Sequence, residues 1–341
     1  MKKYITNLYG QSPQSTAMTA QNMIADIAKT IGYKEICIEA YPVHTDTEEE
    51  KVKRIEGILA SVSKDSLAIA QMPTWNGIAF DKYFLEALRV KVNKLVVFIH
   101  DFVPLMFANN AYLFDQYLEA YNHADLIIVP SIKMKEILIK HGLKRPAIIQ
   151  EVWDHLIPIE LTTVPQFQKK LSFLGNTTRF PFVQDWKSEL PLEVYSNGSA
   201  QAEGNMKLMG WQPEDQLLRS LNSGGYGLVW SENIENQYER EYSEMNVSFK
   251  FSTYLAAGLP LIVNKGIAKE SFVTDYNLGV AVDTLEEAVA YLEGVSEEAY
   301  KTMAENVKRI GNLIKEGFFT KKMLIEIQEK LFLKEEKNDN L

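Results

Sequence analysis

Short apolar runs without polar alternation recur through the first half of the chain, at 36–38, 67–70, 95–99, Leu126–Val129 and 148–149. Runs of this kind predict strands buried on both faces of a sheet. Between them, 18–31, 81–90, 112–121 and 134–141 carry apolar residues at helical spacing. Strand, helix and strand in series predict a parallel sheet with helices on both sides. The stretch 151–169 breaks the rhythm with Pro158, Pro165 and the adjacent Thr162 and Thr163, and residues 156–169 read as a linker. Strand signals then restart at 170–174, 192–195, 207–209, 226–230 and 259–263, with helices expected over 213–222 and 249–257. The charged, amphipathic stretch 297–333 predicts closing helices in which Phe318 and Phe319 pack, and 335 onward is expected to fray. The fold class that follows is α/β, with two doubly wound Rossmann-like domains facing a cleft: 1–155, 170–315, and a closing C-terminal segment 316–341. The cleft is the expected ligand site, because each sheet offers its binding loops at strand C-terminal ends.

Composition narrows the partners. The chain has 341 residues, 46% hydrophobic and 24% charged, with a net charge of −9. That is the make-up of a soluble globular protein of about two domains. An acidic balance argues against a phosphate-backbone partner, so no nucleic acid is expected. Cys37 is the single cysteine, which excludes an intrachain disulfide framework and a multi-cysteine zinc site. No apolar stretch approaches the roughly 20 residues of a membrane helix, and Met1-Lys2-Lys3 is followed by no apolar signal core. A cytoplasmic protein without a membrane span is expected.

The common nucleotide fingerprints are missing. There is no G-x-G-x-x-G and no P-loop; Gly225-Tyr226-Gly227 is the nearest approach. H-E-x-x-H, a D-x-D pair and G-x-S-x-G are likewise absent. If the substrate is a nucleotide, the expected chemistry needs no metal.

Four polar segments follow predicted strands. Gly10-Gln11-Ser12-Pro13-Gln14-Ser15-Thr16 can offer backbone amides and a helix start to a phosphate, or it is a loop whose Ser15 and Thr16 merely cap a helix. His100-Asp101 ends a buried strand, where it can bind sugar hydroxyls or handle a proton, or where His100 simply ties down a loop. Arg179, just past Gly175-Asn176-Thr177-Thr178, suits a diphosphate through its planar fork, with a surface salt bridge as the plainer reading. The fourth segment runs from Asn246 through Ser248, Phe249, Lys250, Phe251, Ser252 and Thr253 to Ala256-Ala257-Gly258-Leu259-Pro260. Its amides, the positive helix end and the Lys250 ammonium would converge on a diphosphate. Nearby Trp211 is either a platform for a base or a core residue.

In this order and spacing the four segments resemble glycosyltransferases of the two-Rossmann-domain GT-B type. Pro73-Thr74-Trp75-Asn76, Phe98-Ile99-His100-Asp101 with Val103-Pro104-Leu105-Met106-Phe107, Trp153-Asp154-His155, Gly227-Leu228-Val229-Trp230 and Gly317-Phe318-Phe319-Thr320 extend the match over nearly the whole chain. Together with Tyr4-Ile5-Thr6-Asn7 and the loop at Gly10, they resemble the glucosyltransferases that act second on bacterial serine-rich-repeat adhesins. The resemblance implies transfer of glucose from UDP-glucose onto O-linked N-acetylglucosamine of the adhesin, with retention, without a metal or other cofactor, by a self-associating, tetrameric enzyme. Carried over by position, it puts Ser15 and Thr16 near the UDP, Arg179 on the diphosphate, Trp211, Gln212, Pro213 and Glu214 around the base, and Ser248 to Thr253 on phosphate and ribose. Gln14, Trp75 and Asn76 become acceptor-side candidates, and His100 and Asp101 orient sugar or acceptor. Trp211 stands where a tyrosine is expected in relatives, which preserves stacking and removes a phenolic contact. The usual GT-B carboxylate pair is replaced around Asn246 to Lys250. A donor sugar other than glucose (N-acetylglucosamine or galactose), a non-catalytic nucleotide-binding subunit and a two-lobed binding protein are the competing readings.

Overall fold

The computed structural model describes residues 1–197, 201, 203–231 and 237–333. Among these, the strands are β1 (Lys2–Tyr9), β2 (Tyr33–Glu39), β3 (Ser66–Met72), β4 (Lys94–Ile99), β5 (Leu126–Val129), β6 (Ala147–Ile149), β7 (Gln166–Leu174), β8 (Leu192–Tyr195), β9 (Met206–Leu208), β10 (Gly224–Val229), β11 (Leu261–Asn264) and β12 (Gly279–Val282). The α-helices are α1 (Thr16–Thr30), α2 (Glu48–Ile58), α3 (Ile78–Lys91), α4 (Val103–Met106), α5 (Phe114–Tyr121), α6 (Ile132–Lys140), α7 (Glu214–Leu221), α8 (Gln237–Ser243), α9 (Phe249–Ala257), α10 (Glu270–Asp275), α11 (Leu285–Gly294), α12 (Glu297–Lys315) and α13 (Phe318–Phe332).

The chain forms two compact units, one of Met1–Glu151 with Gly317–Leu341 and one of Val152–Glu316. In the first, six parallel strands lie in the order β2-β1-β3-β4-β5-β6. All seven residues of β3 are buried, the polar Ser66 and Gln71 included, as a central strand covered on both faces demands. In the second, six parallel strands lie in the order β12-β11-β10-β7-β8-β9. The strand order reverses between β1 and β3 in one sheet and between β7 and β10 in the other. Loops at the carboxyl ends of such a pair diverge and leave a crevice, which makes these two places the natural ligand positions of each unit.

The boundaries differ from the sequence expectation in three places. Val152–His155 belongs to the second unit, held there by Trp153 Nε1, which donates to the Val247 carbonyl at 2.9 Å, and by the His155 amide, which donates to Ile314 O at 3.2 Å. The last four residues of the expected linker, 166–169, are already strand β7, where Gln166 pairs with Gly224. Alternating polar residues conceal that half of the strand. The helix α13, expected only to close the chain, packs against α1 of the first unit and buries Phe319, Met323, Leu324 and Ile327, while Phe318 stays exposed. Helix α2, polar on most sides, shows no apolar stripe in the sequence, although Thr47 and Glu50 form a reciprocal capping box at its start. The edge strand β12, Gly279–Val282, is only half buried and opens on a glycine, so its apolar signal is weak. The expected frayed tail from 335 lies outside the described residues.

Candidate functional site

In the second unit, β7 ends at Leu174 and the chain turns sharply through Gly175 to Arg179. A side chain at Gly175 would meet the Phe173 ring at 2.6 Å, so only glycine lets the loop lie this close. Asn176 organises the turn: its Oδ1 accepts from the Thr178 amide at 2.8 Å and the Arg179 amide at 3.3 Å. Arg179 is thereby carried beyond the strand end, with its guanidinium 5.3 Å from the Phe180 ring centroid and its Nε 2.7 Å from Glu239 Oε2 on α8. Arg179 thus forms a partly exposed ion pair, the plainer of the two readings.

Helix α9 points its start at the same end of the sheet. Its cap, Ser248, is exposed and extended, and its side chain makes no capping hydrogen bond. The first amides of the helix therefore lack the usual side-chain acceptor. The helix is fixed by Tyr254, whose hydroxyl accepts from the Leu174 amide at 2.8 Å and donates to Leu228 O at 3.3 Å. One buried phenol thus ties α9 to both strands of the crossover. Gly227 makes room for it, since an added Cβ would sit 2.3 Å from the Tyr254 ring. Neither Tyr254 nor this fit was legible, because aromatic residues at helical spacing read simply as core.

Lys250, in the first turn, lays its ammonium over two rings, 4.7 Å from the Phe173 centroid and 4.5 Å from Phe180. Burial, and then the Arg179 cation, push its pKa down to about 7. A sheltered lysine beside an arginine is a site short of negative charge. Phe251, Ser252 and Thr253 are buried within α9, and among the described residues the Ser252 hydroxyl has no hydrogen-bond partner. Phe249 turns its ring to His155, 5.0 Å between centroids.

Trp211 is 46% exposed, which removes the core reading and leaves its indole available as a platform. Beside it, Gln212 accepts from Ser220 at 2.9 Å, Pro213 caps α7, and Glu214 Oε1 lies 2.8 Å from His155 Nε2.

In the first unit the loop after β1 caps α1: Ser15 Oγ accepts from the Met18 amide at 3.2 Å and hydrogen-bonds Gln11, while Gln14 and Thr16 are exposed. Beyond β3, Trp75 adopts a left-handed φ of 62°, a conformation that few side chains accept. Asn76 holds the loop, accepting from the Tyr41 amide at 3.1 Å and donating to Glu39 O at 3.1 Å; it is a fastener rather than a free contact. Under the loop, fully buried Asp81 accepts from the Thr74 hydroxyl and amide, and burial raises its pKa to about 7.

His100 is buried at the end of β4 and engaged with Gln71. Gln71 Nε2 donates to the carbonyls of Thr6 and Gln21, so Gln71 Oε1 accepts from His100 Nε2 at 2.8 Å. The imidazole is 4% exposed, and burial drops its pKa to about 3. The imidazole is thereby held neutral and tied to Gln71 at the strand end. Asp101 beside it is partly exposed at the same edge.

Among the described residues no three histidine, cysteine, aspartate or glutamate side chains converge as metal ligands, and no helix is long and apolar enough to cross a membrane.

Comparison with known proteins agrees with this geometry. Residues 2–152 match the family model described as Glucosyltransferase 3-like, N-terminal domain, and residues 171–327 match Glucosyltransferase 3-like, C-terminal domain. The chain is 42% identical to Glucosyltransferase 3 of Streptococcus gordonii and 38% identical to that of Streptococcus parasanguinis, each over 96% of this chain and 98% of the relative. Among solved structures it resembles a sucrose-phosphate synthase from Thermosynechococcus elongatus, with a TM-score of 0.68 and 8% identity over 97% of this chain and all of that one. It also resembles Anabaena HepE in complex with UDP and glucose, with a TM-score of 0.64 and 12% identity over 97% of this chain and all of that one. Two Rossmann-type units with a cationic helix start at the second crossover, matched end to end by these models and relatives, make the chain a member of the glucosyltransferase 3-like family and a glycosyltransferase of the GT-B fold.

Proposed function

We propose that the protein transfers glucose from UDP-glucose to O-linked N-acetylglucosamine on a Ser/Thr-rich adhesin, without a metal. The observation that carries the reading is Lys250 in the uncapped first turn of α9, its charge disfavoured by burial and by Arg179 until an anion arrives. A diphosphate supplies that anion. In this reading Arg179 exchanges Glu239 for the diphosphate, Lys250 and the α9 amides neutralise it, and Trp211 stacks the uracil. As the bond from C1 of glucose to the β-phosphate oxygen breaks, the growing negative charge meets these fixed donors. The acceptor hydroxyl oxygen bonds to C1, and its proton passes to the departing phosphate, so no side-chain base is required. Trp75 and the exposed Gln14 are the acceptor-side groups.

Incubation of the purified protein with an N-acetylglucosamine-bearing peptide, a panel of UDP-sugars and EDTA, read by peptide mass, tests this. A hexose increment with UDP-glucose alone, undiminished by EDTA, is expected. An increment from UDP-galactose or UDP-N-acetylglucosamine would change the donor, loss with EDTA would overturn the metal-free chemistry, and no increment with any sugar would point to a non-catalytic nucleotide-binding subunit. The same reading has the protein act in the cytoplasm as a homo-oligomer, for which exposed Phe318, Ile325 and Phe332, seven residues apart on α13, offer an apolar stripe. Light scattering on the intact chain is expected to show a tetramer.

A further inference from the structure

We propose that His155 is a positioning residue of the nucleotide pocket, holding Glu214 at the start of α7 and Thr253 in α9 in the arrangement that receives the nucleoside half of the donor. The inference rests on the reading of the second unit as the UDP-sugar site. His155 is 3% exposed and sits on the first stretch of that unit. Its Nε2 lies 2.8 Å from Glu214 Oε1, the distance of an ion pair, yet off the line of a hydrogen bond, so both buried atoms keep unused hydrogen-bonding capacity. Its Nδ1 lies 3.5 Å from Thr253 Oγ1, and its ring faces Phe249. One imidazole therefore touches three residues of two helices whose starts carry the base-side and phosphate-side groups. Its backbone is anchored independently, through the amide to Ile314 O and through the neighbouring Trp153 indole to Val247 O. The main chain at His155 is thus fastened without the imidazole. A buried polar ring costs free energy unless paired, and Glu214 and Thr253 are the polar groups set against it, on the two helices that carry Glu214 after Gln212 and Trp211 and Thr253 after Phe249.

The test uses the full chain with UDP, inorganic pyrophosphate and UDP-glucose as probes. Replacement His155→Phe keeps the ring against Phe249 and removes both polar contacts; His155→Gln restores one donor toward Glu214. Expected results are a Kd for UDP weakened about tenfold in His155→Phe and substantially rescued in His155→Gln, a pyrophosphate Kd within about twofold of the parent, and KM for UDP-glucose raised with little change in kcat. The loss in His155→Phe combined with Glu214→Gln should fall well short of the product of the single losses. Equal weakening of UDP and pyrophosphate, or a lowered melting temperature with unchanged UDP affinity, would make His155 a structural support of α9 and overturn the assignment. If His155→Phe does not fold, the UDP-against-pyrophosphate comparison on His155→Gln decides alone: an affinity loss confined to UDP supports the assignment, and none overturns it. A parent protein that binds no UDP would overturn the site reading itself, an outcome distinct from UDP binding that ignores His155.

Discussion

In the proposed donor site, Lys250 and Arg179 differ in how their charges are met. Arg179 is paired with Glu239, whereas Lys250, among the described residues, lies over two aromatic faces beside a neighbouring cation. Lys250→Met should lower kcat by about 100-fold or more, the scale of losing one charge-stabilising donor, while leaving the melting temperature no lower. With a free-enzyme pKa of about 7, UDP binding above neutral pH should take up a proton, and affinity should fall as pH rises through 7. Calorimetry in two buffers of different ionisation enthalpy reads that uptake, which Lys250→Met should abolish. The first unit holds a second pair of opposed titrations. Asp81, raised to about 7, binds its proton in the folded state where the unfolded carboxylate has lost it, so its contribution to stability declines between about pH 4 and 7. His100, lowered to about 3, is neutral where the unfolded histidine is charged, so its contribution grows with pH from about 3 to 6.5. Denaturant unfolding of Asp81→Asn should therefore show stability rising more steeply with pH over 4–6.5 than in the parent protein.

At the level of elements, the central strands and the α9 segment were legible because their patterns are local: buried apolar runs, and a small-residue helix closed by Gly258 in a left-handed conformation. What escaped the sequence depends on neighbours far along the chain. Tyr254 fastens α9 only because Leu174 and Leu228 lie on adjacent strands and Gly227 leaves a gap. Tyr254→Phe should cost about 1–3 kcal/mol by leaving the Leu174 amide and the Leu228 carbonyl without their hydroxyl partner, measurable by denaturant unfolding. Gly227→Ala should be as damaging, since the overlap falls on a fully buried ring. The expected roles of Ser15 and Arg179 show the same limit from the other side. A cap and a phosphate contact use the same residue types, and only the geometry separated Ser15, engaged with Met18, from Ser248, whose side chain makes no cap.

For the whole molecule, the return of α13 to the first unit changes what counts as a domain. A chain ending at Glu316 would keep Val152–Glu316 intact and strip α1 of the partner that buries Phe319, Met323, Leu324 and Ile327. Such a truncation should unfold the first unit first in hydrogen exchange, while a chain beginning at Val152 and ending at Glu316 should still bind UDP. The ion pair of Lys322 with Glu151 marks where the first unit is stitched closed by residues 171 positions apart. During synthesis this inverts the usual order of maturation. The second unit is continuous and can finish as soon as its last strand and helices emerge, but the first, although its strands are translated earlier, waits unfinished until α13 has been made. Any protease or chaperone that surveys the nascent chain would meet the naked flank of α1 for that whole interval.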